Sequence, residues 1–204
     1  MDPATPVQPL ATSAHPVRVE LVAPNTIARW RPFLHFFMAI PHFIINQALS
    51  ALSGVITFIA FFAILFTKRY PEGLFNVAVM AQRYSWRVVS FALFMREAYP
   101  PFEFSSEPED PETDPARYSI LYPGEMSRWL PFVKFFLAIP HFFVLLVLFV
   151  GGFAVMFLSF FAVLFTGKYP EGLRNYMVGV TRWSARVSAY VGLMTDDYPP
   201  FSLQ

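Results

Sequence analysis

The sequence predicts an all-α membrane protein, formed by tandem duplication of a two-helix hairpin, with short β-strands at one membrane surface. Three observations support this fold class. The chain of 204 residues is 55% hydrophobic and only 14% charged, whereas soluble domains are about one quarter charged. Its two halves repeat each other. Each half contains two segments that are long enough to enter a membrane as helices.

The repeat has a period of 99 residues, since that shift lays Arg18–Phe102 over Arg117–Phe201 without a gap. RWRPFLHFFMAIPHF meets RWLPFVKFFLAIPHF, FFAILFT meets FFAVLFT, and YPPF meets YPPF. Such self-similarity indicates a tandem duplication. The chain then divides into four regions: a disordered tail at 1–16, copy one at 17–104, an acidic proline-rich linker at 105–115, and copy two at 116–204. We expect the linker to be flexible and solvated.

Each copy opens with an alternating, β-branched segment that predicts a short strand, PVRVELV at 16–22 and RYSILY at 117–122. Each copy also closes with a strand-like segment, YPPFEF or YPPFSL. A lone strand needs a partner, so we expect the first and last segments of each copy to pair with each other.

The first helix of each copy is expected to start after a proline. Pro41 interrupts the apolar run of copy one and should kink or restart the helix. We therefore predict a short interfacial turn at Pro32–Ile40 and a membrane span from about His42 to Phe66. The equivalent span of copy two runs from about His141 to Phe165.

The turn after this span is nearly identical in the two copies, FTKRYPEGL and FTGKYPEGL. Proline has the φ angle of a first helical turn, and a glutamate there faces the positive end of the helix dipole. We interpret these residues as a structural turn between two helices and not as a catalytic site; they are Pro71, Glu72 and Gly73, with Pro170, Glu171 and Gly172.

The second helix of each copy, at 74–95 and 173–194, carries two arginines near its middle. One hypothesis lays this helix flat in the headgroup layer. The other returns it across the membrane, where the arginines need water, carbonyls, an anionic ligand or a partner's carboxylate as compensation. Pairing of the terminal strands requires an even number of crossings, which favours the second hypothesis. It gives four long membrane helices in two parallel hairpins about a two-fold axis along the membrane normal.

Two sets of polar residues are candidate ligands. The arginines and the asparagines on the same stripe predict a site for an anionic lipid or anion; these are Arg83, Arg87, Arg182, Arg186, Asn76 and Asn175. Snorkelling towards the headgroups is the alternative explanation for the arginines. His42 and His141 are weaker candidates for a metal or a haem, because further ligands are missing and a histidine at a helix start also satisfies backbone groups.

Several function classes are disfavoured. The chain has no cysteine, which excludes disulfides and thiolate metal sites. A net charge of +1 with scattered basic residues argues against a nucleic-acid partner. The sequence carries no GxSxG, HExxH or phosphate-loop motif, so we expect neither an enzyme nor a cofactor.

The repeated blocks RW-x-PF, AIPHF, LFT-x-x-YPEGL and YPPF resemble a family of uncharacterised bacterial integral membrane proteins, whose conserved domain of unknown function often occurs in tandem. The resemblance covers both copies, although copy one has RYSWR where the family has RWSAR. It implies a membrane location and a bacterial source, and it implies no activity.

The sequence thus predicts a non-enzymatic, multi-pass protein of the bacterial inner membrane, with both termini in the cytoplasm. The expected role is an accessory or scaffold component that binds anionic lipid through its arginines. Its partners would be the bilayer and another membrane protein or further copies of itself. The alternatives are an oligomeric anion transporter or channel that uses the same arginines, and a haem protein with two histidine ligands.

Overall fold

The computed structural model describes residues 15–107 and 109–204. In copy one it contains strand β1 (Val17–Leu21) and helices α1 (Arg31–Thr67) and α2 (Glu72–Ala92). Copy two repeats the order with β2 (Ala116–Ile120), α3 (Leu130–Thr166) and α4 (Glu171–Val191). Four helices in two equivalent pairs confirm the mostly helical, duplicated fold. The tail predicted at 1–16 lies outside the described residues except for its last two.

The helices and strands form three layers. Helix α1 packs against α2, and α3 against α4, while α1 and α3 touch each other only sparsely. On the far side, each strand packs on the second helix of the other copy, β2 on α2 and β1 on α4. The apolar core lies between these layers, and the two copies are interlocked through their strands.

An internal two-fold axis relates the copies. Strands β1 and β2 are antiparallel, and Val19 faces Tyr118, its own equivalent 99 residues later. The rings of Phe33 and Phe160 are 5.2 Å apart, and those of the equivalent pair Phe132 and Phe61 are 5.1 Å apart. Because the start of each long helix meets the end of the other, α1 and α3 run antiparallel. The predicted parallel hairpins are therefore wrong.

The predicted strand pairing is also wrong. Strands β1 and β2 pair with each other across the copies, and the YPPF segments form no strand. Phe102 of the first YPPF segment stacks instead on the ring of His42. A short strand gains the same backbone hydrogen bonds from either partner, so tertiary packing decides the choice. The even number of crossings inferred from pairing within a copy therefore loses its basis.

Pro41 and Pro140 lie inside helices of 37 residues that continue on both sides of them. The interfacial turn predicted at Pro32–Ile40 is thus helical, and α1 begins at Arg31. A proline removes one backbone donor from the helical ladder. In these long helices the remaining hydrogen bonds and the packing on α2 and α4 maintain the structure.

In the described chain, two helices, α1 and α3, are long and apolar enough to cross a membrane. The sequence predicted four membrane helices, the second of each copy either crossing the bilayer or lying in the headgroup layer, and α2 and α4 do not meet the criteria for a crossing helix. Pro71 and Pro170 lie at the N-caps of α2 and α4 and not inside the first helical turn, and Glu72 and Glu171 are the first helical residues.

Candidate anion-binding site

Four arginines project from the middle of α2 and α4 towards the sheet. Arg83 donates to the carbonyl of Tyr118 at 3.4 Å, and the equivalent Arg182 donates to the carbonyl of Val19 at 3.1 Å. Arg83 and Arg182 therefore each contact the strand of the other copy. The four predicted residues form two pairs on either side of the two-fold axis, and no contact among the described residues joins one pair to the other.

In copy one the arginine pair is neutralised by carboxylates. Arg83 Nε lies 3.3 Å from Asp110 Oδ2, while Arg87 Nη1 and Nη2 lie 2.7 Å from Glu103 Oε2 and 3.5 Å from Asp110 Oδ1. Asp110 also accepts a hydrogen bond from the backbone N–H of Tyr118 at 2.9 Å. Both acids are supplied by the segment that follows α2.

This arrangement departs from the predicted solvated linker at two of its acids, while most of its other described residues are exposed. Asp110 and Asp114 belong to the predicted linker, and both carboxylates are almost fully buried. Asp114 pairs with Arg96 at 2.6 Å and also accepts from the N–H of Ala116 at 2.8 Å. A proline-rich acidic composition predicts a solvated segment only when no buried cation is near enough to pair with it.

In copy two, no carboxylate of the described residues lies within 4 Å of the equivalent arginines, although the charge of Glu20 acts on Arg182. Arg182 Nη1 donates to the carbonyl of Leu203 at 3.1 Å. The Nε and Nη1 atoms of Arg186 are buried and have no hydrogen-bond partner in the described chain, and the residue is only 5% exposed. The 99-residue shift places Ser202 where copy one has Glu103.

The electrostatic surroundings are alike at the first arginine of each pair. Burial lowers the pKa of Arg83 and of its equivalent Arg182, and the charges of Asp110 and Glu20, respectively, oppose that effect. Burial also lowers the pKa of Arg186, and the neighbouring charge of Arg182 lowers it further. Arginine nevertheless stays protonated in proteins. Arg186 is therefore a buried cation in a positive field, which favours the binding of an anion.

The asparagines predicted to share the site do not reach it. Asn76 is half-buried and Asn175 is exposed, and each precedes the first arginine of its helix by seven residues. No hydrogen bond connects either of them to an arginine in the described chain. The side chain of Glu171 is engaged elsewhere, since it accepts a hydrogen bond from Asn25 at 2.6 Å.

His42 and His141 are fully buried against the second helix of their own copy. His42 Nδ1 lies 2.6 Å from the hydroxyl of Tyr84, and Trp183 Nε1 donates to His141 Nδ1 at 3.0 Å. Each imidazole also stacks on the phenylalanine of the YPPF segment in its own copy, with ring centroids 4.3 and 4.0 Å apart. These contacts tie three segments together. The described residues contain no group of three or more His, Asp or Glu that could hold a metal ion.

One further buried ion pair was not anticipated from the sequence. Lys134 Nζ lies 2.8 Å from Asp196 Oδ1 and donates to the carbonyl of Thr195 at 2.7 Å. His35 occupies the equivalent position of copy one and contacts the carbonyl of Phe91 at 3.0 Å. The sequence signal for this pair is that copy two has Lys134 where copy one has His35, together with an acid, Asp196, after α4.

Comparison with known families identifies both copies. The model of a domain of unknown function, DUF4389, matches residues 29–103 and again residues 129–202. The chain belongs to the DUF4389 family. The tandem match confirms the resemblance and the duplication inferred from the sequence. Both arginine pairs and both histidines lie within the DUF4389 segments, whereas the two strands and Asp110 lie outside them. No curated protein and no solved structure matches the chain significantly.

Proposed function

We propose that this DUF4389 protein is a non-enzymatic membrane component that binds an oxyanion at Arg182 and Arg186. The observation that supports the proposal is that two buried nitrogens of Arg186, Nε and Nη1, have no hydrogen-bond partner among the described residues. Leaving a buried charge without a partner costs several kcal/mol, so an anion that reaches it binds favourably. The two carboxylates on the equivalent Arg87 illustrate the ligand chemistry that such a position accepts.

Two sources could supply the oxyanion. One is the phosphate of an anionic lipid headgroup, which agrees with the apolar helices α1 and α3. The other is a soluble phosphate or carboxylate. A guanidinium recognises both through charge-assisted hydrogen bonds, so the chemistry is shared and the experiment has to separate the sources.

The two other functions considered from the sequence have no specific contact in their favour. The arginines face the sheet and not the space between α1 and α3, where a central path for anions would run. Each histidine contacts residues of its own copy. Anion transport and haem binding therefore stay untested predictions.

Native mass spectrometry in detergent micelles tests the proposal with three probes: phosphatidylglycerol, the zwitterionic phosphatidylcholine, and inorganic phosphate. We expect Arg186→Gln to weaken binding of the recognised probe by tenfold or more, since a charged hydrogen bond contributes about 1.5–3 kcal/mol. Arg69→Gln, at an exposed arginine in the α1–α2 loop, serves as the matched control and should leave binding unchanged.

Ser202→Glu provides a second, opposite test, because it places a carboxylate where copy one has Glu103. We expect this internal carboxylate to pair with Arg186 and to displace the bound probe. A preference for phosphatidylglycerol over phosphatidylcholine identifies a lipid as the source, and binding of inorganic phosphate alone identifies a soluble ligand. Equal binding by the wild type and Arg186→Gln would rule out the site.

A further inference from the structure

The outward surface of α1 and α3 is predominantly apolar, although Gln47 and Ser50 are also exposed near the middle of α1. We call this surface the outer face. On α1 it extends from Phe33, which is 53% exposed, to Phe66, which is 73% exposed. It continues on α3 from Phe132 to Phe165. A continuous apolar surface of this extent marks a contact with lipid or with another protein.

The length of this surface does not fit a membrane crossing. A helix of 37 residues is about 55 Å long at 1.5 Å per residue, and the hydrocarbon core of a bilayer is about 30 Å thick. To keep its apolar length within the core, α1 would need a tilt of about 57°, well beyond the range of about 0–40° seen for transmembrane helices.

The position of the sheet provides a second, independent reason. The two-fold axis passes through the Val19–Tyr118 pair and near the middle of the antiparallel α1 and α3. If α1 and α3 crossed the bilayer, this axis would lie in the membrane plane and the sheet would sit at the depth of the hydrocarbon core. A two-stranded sheet has two open edges, and open edges do not occur facing lipid.

The charges lie on the side opposite the outer face. Along the strands Val17, Val19 and Tyr118 are buried towards the helices, while the alternating Arg18, Glu20 and Arg117 are partly exposed on the other side. The pair between Arg117 and Glu112, at 3.0 Å, is also accessible to solvent. The molecule thus has one apolar side and one charged side.

We propose that the protein lies on one leaflet with α1 and α3 parallel to the membrane plane, their outer face in lipid and the sheet in water. The two-fold axis then coincides with the membrane normal. Trp30 and Trp129, which are 55% and 75% exposed at the starts of the two helices, lie at one common depth, where amphipathic rings favour the interface. The apolar faces of interfacial helices enter the headgroup and acyl boundary by about 5–10 Å, and we expect a similar depth for the outer face.

This orientation is independent of the oxyanion site. Arg182 lies on the side of α4 that faces the sheet, away from the outer face. Arg186 is only 5% exposed, so the choice between a soluble oxyanion and a headgroup rests with the three probes of the binding experiment.

Single cysteines test the orientation, since the native chain has none. Arg29→Cys and Lys68→Cys place exposed thiols at the two ends of α1, and Ser119→Cys marks the sheet. The probe is a membrane-impermeant maleimide, applied to inside-out and to right-side-out membrane vesicles. We expect all three thiols to react in the same vesicle orientation. Reaction of positions 29 and 68 in opposite orientations would show that α1 crosses the membrane and would overturn the proposal.

Depth measurements separate a lipid partner from a second copy of the chain. A bimane fluorophore at Phe36→Cys, Val55→Cys or Phe66→Cys lies on the outer face at the start, middle or end of α1. With brominated lipids we expect equal quenching at the three positions, within about twofold, and no quenching at Ser119→Cys. Quenching at position 55 that comes from a greater bilayer depth than at positions 36 and 66 indicates a crossing helix. Absence of quenching at all three positions indicates a dimer through this face, and either result contradicts the proposal.

Discussion

Arg87 and Arg186 occupy equivalent positions in α2 and α4, and both are almost fully buried, yet their surroundings differ in charge. Arg87 lies within 3.5 Å of two carboxylates, whereas Arg186 has two buried nitrogens without a partner in the described chain. The helices themselves are closely similar. The difference comes from the segments that follow them, because Glu103 and Asp110 follow α2 while Ser202 follows α4.

The two copies therefore share a scaffold and differ in how the charge of the arginine pair is neutralised. In copy one the chain carries its own counter-charges, which convert the arginine pair into a structural ion cluster. In copy two, no carboxylate of the described residues lies within 4 Å of Arg182 or Arg186, and this difference is the basis of the binding site proposed above.

The largest expected effect comes from breaking the ion cluster of copy one. Asp110→Ala removes the carboxylate that Arg83 and Arg87 share. Because it leaves buried charges uncompensated, we expect a loss of about 3–5 kcal/mol in the free energy of unfolding. Chemical denaturation in detergent micelles, followed by tryptophan fluorescence, measures this difference.

Glu112→Ala is the matched control for this prediction. Glu112 is an exposed carboxylate of the same segment, and its pair with Arg117 is accessible to solvent. Exposed ion pairs contribute about 0–1 kcal/mol, so this variant should unfold almost like the wild type. If the two variants lose the same stability, the cluster does not have the structural role assigned to it.

The limits of the sequence prediction follow from the same comparison. The helices, the strands and the turns at Pro71 and Pro170 follow from local patterns that the chain repeats twice. The arginine pairs stand out equally well as charges in apolar helices. Their partners do not, because Asp110 lies 23 residues from Arg87 in a segment whose composition predicts solvation. Similarly, local sequence defines β1 and β2 as strands but does not select between partners within and across the copies.

A smaller effect is expected where the end of copy two approaches α4 closely. Gly179 occupies the position of Met80 in copy one, and a Cβ atom at Gly179 would lie 2.9 Å from the carbonyl oxygen of Leu203. That carbonyl is the acceptor for Arg182. We expect Gly179→Ala to displace this segment and to lower the free energy of unfolding by about 1–3 kcal/mol, the usual cost of overpacking.

Gly172→Ala is the control for this close approach, since nothing lies within 4 Å of a Cβ atom at Gly172 in the first turn of α4. Alanine is the better helix former by about 0.5–1 kcal/mol, so this variant should be neutral or slightly more stable. Stability changes of the same sign and size in both variants would show that helix propensity, and not the contact with Leu203, decides the outcome. The same denaturation assay measures both.

The smallest expected effect concerns the ends of the long helices. Lys68 follows α1 with φ of 60°, whereas its equivalent after α3 is Gly167, with φ of 70°. A residue with a Cβ atom pays about 1–2 kcal/mol in this left-handed conformation, and glycine does not. We expect Lys68→Gly to raise the free energy of unfolding by about 1 kcal/mol and Gly167→Ala to lower it by a similar amount. Since a Cβ atom at Gly167 would meet nothing closer than 3.5 Å, the reciprocal change isolates the backbone term. Shifts of the same sign in the two variants would show that the side chain of Lys68, and not its backbone conformation, controls how α1 ends.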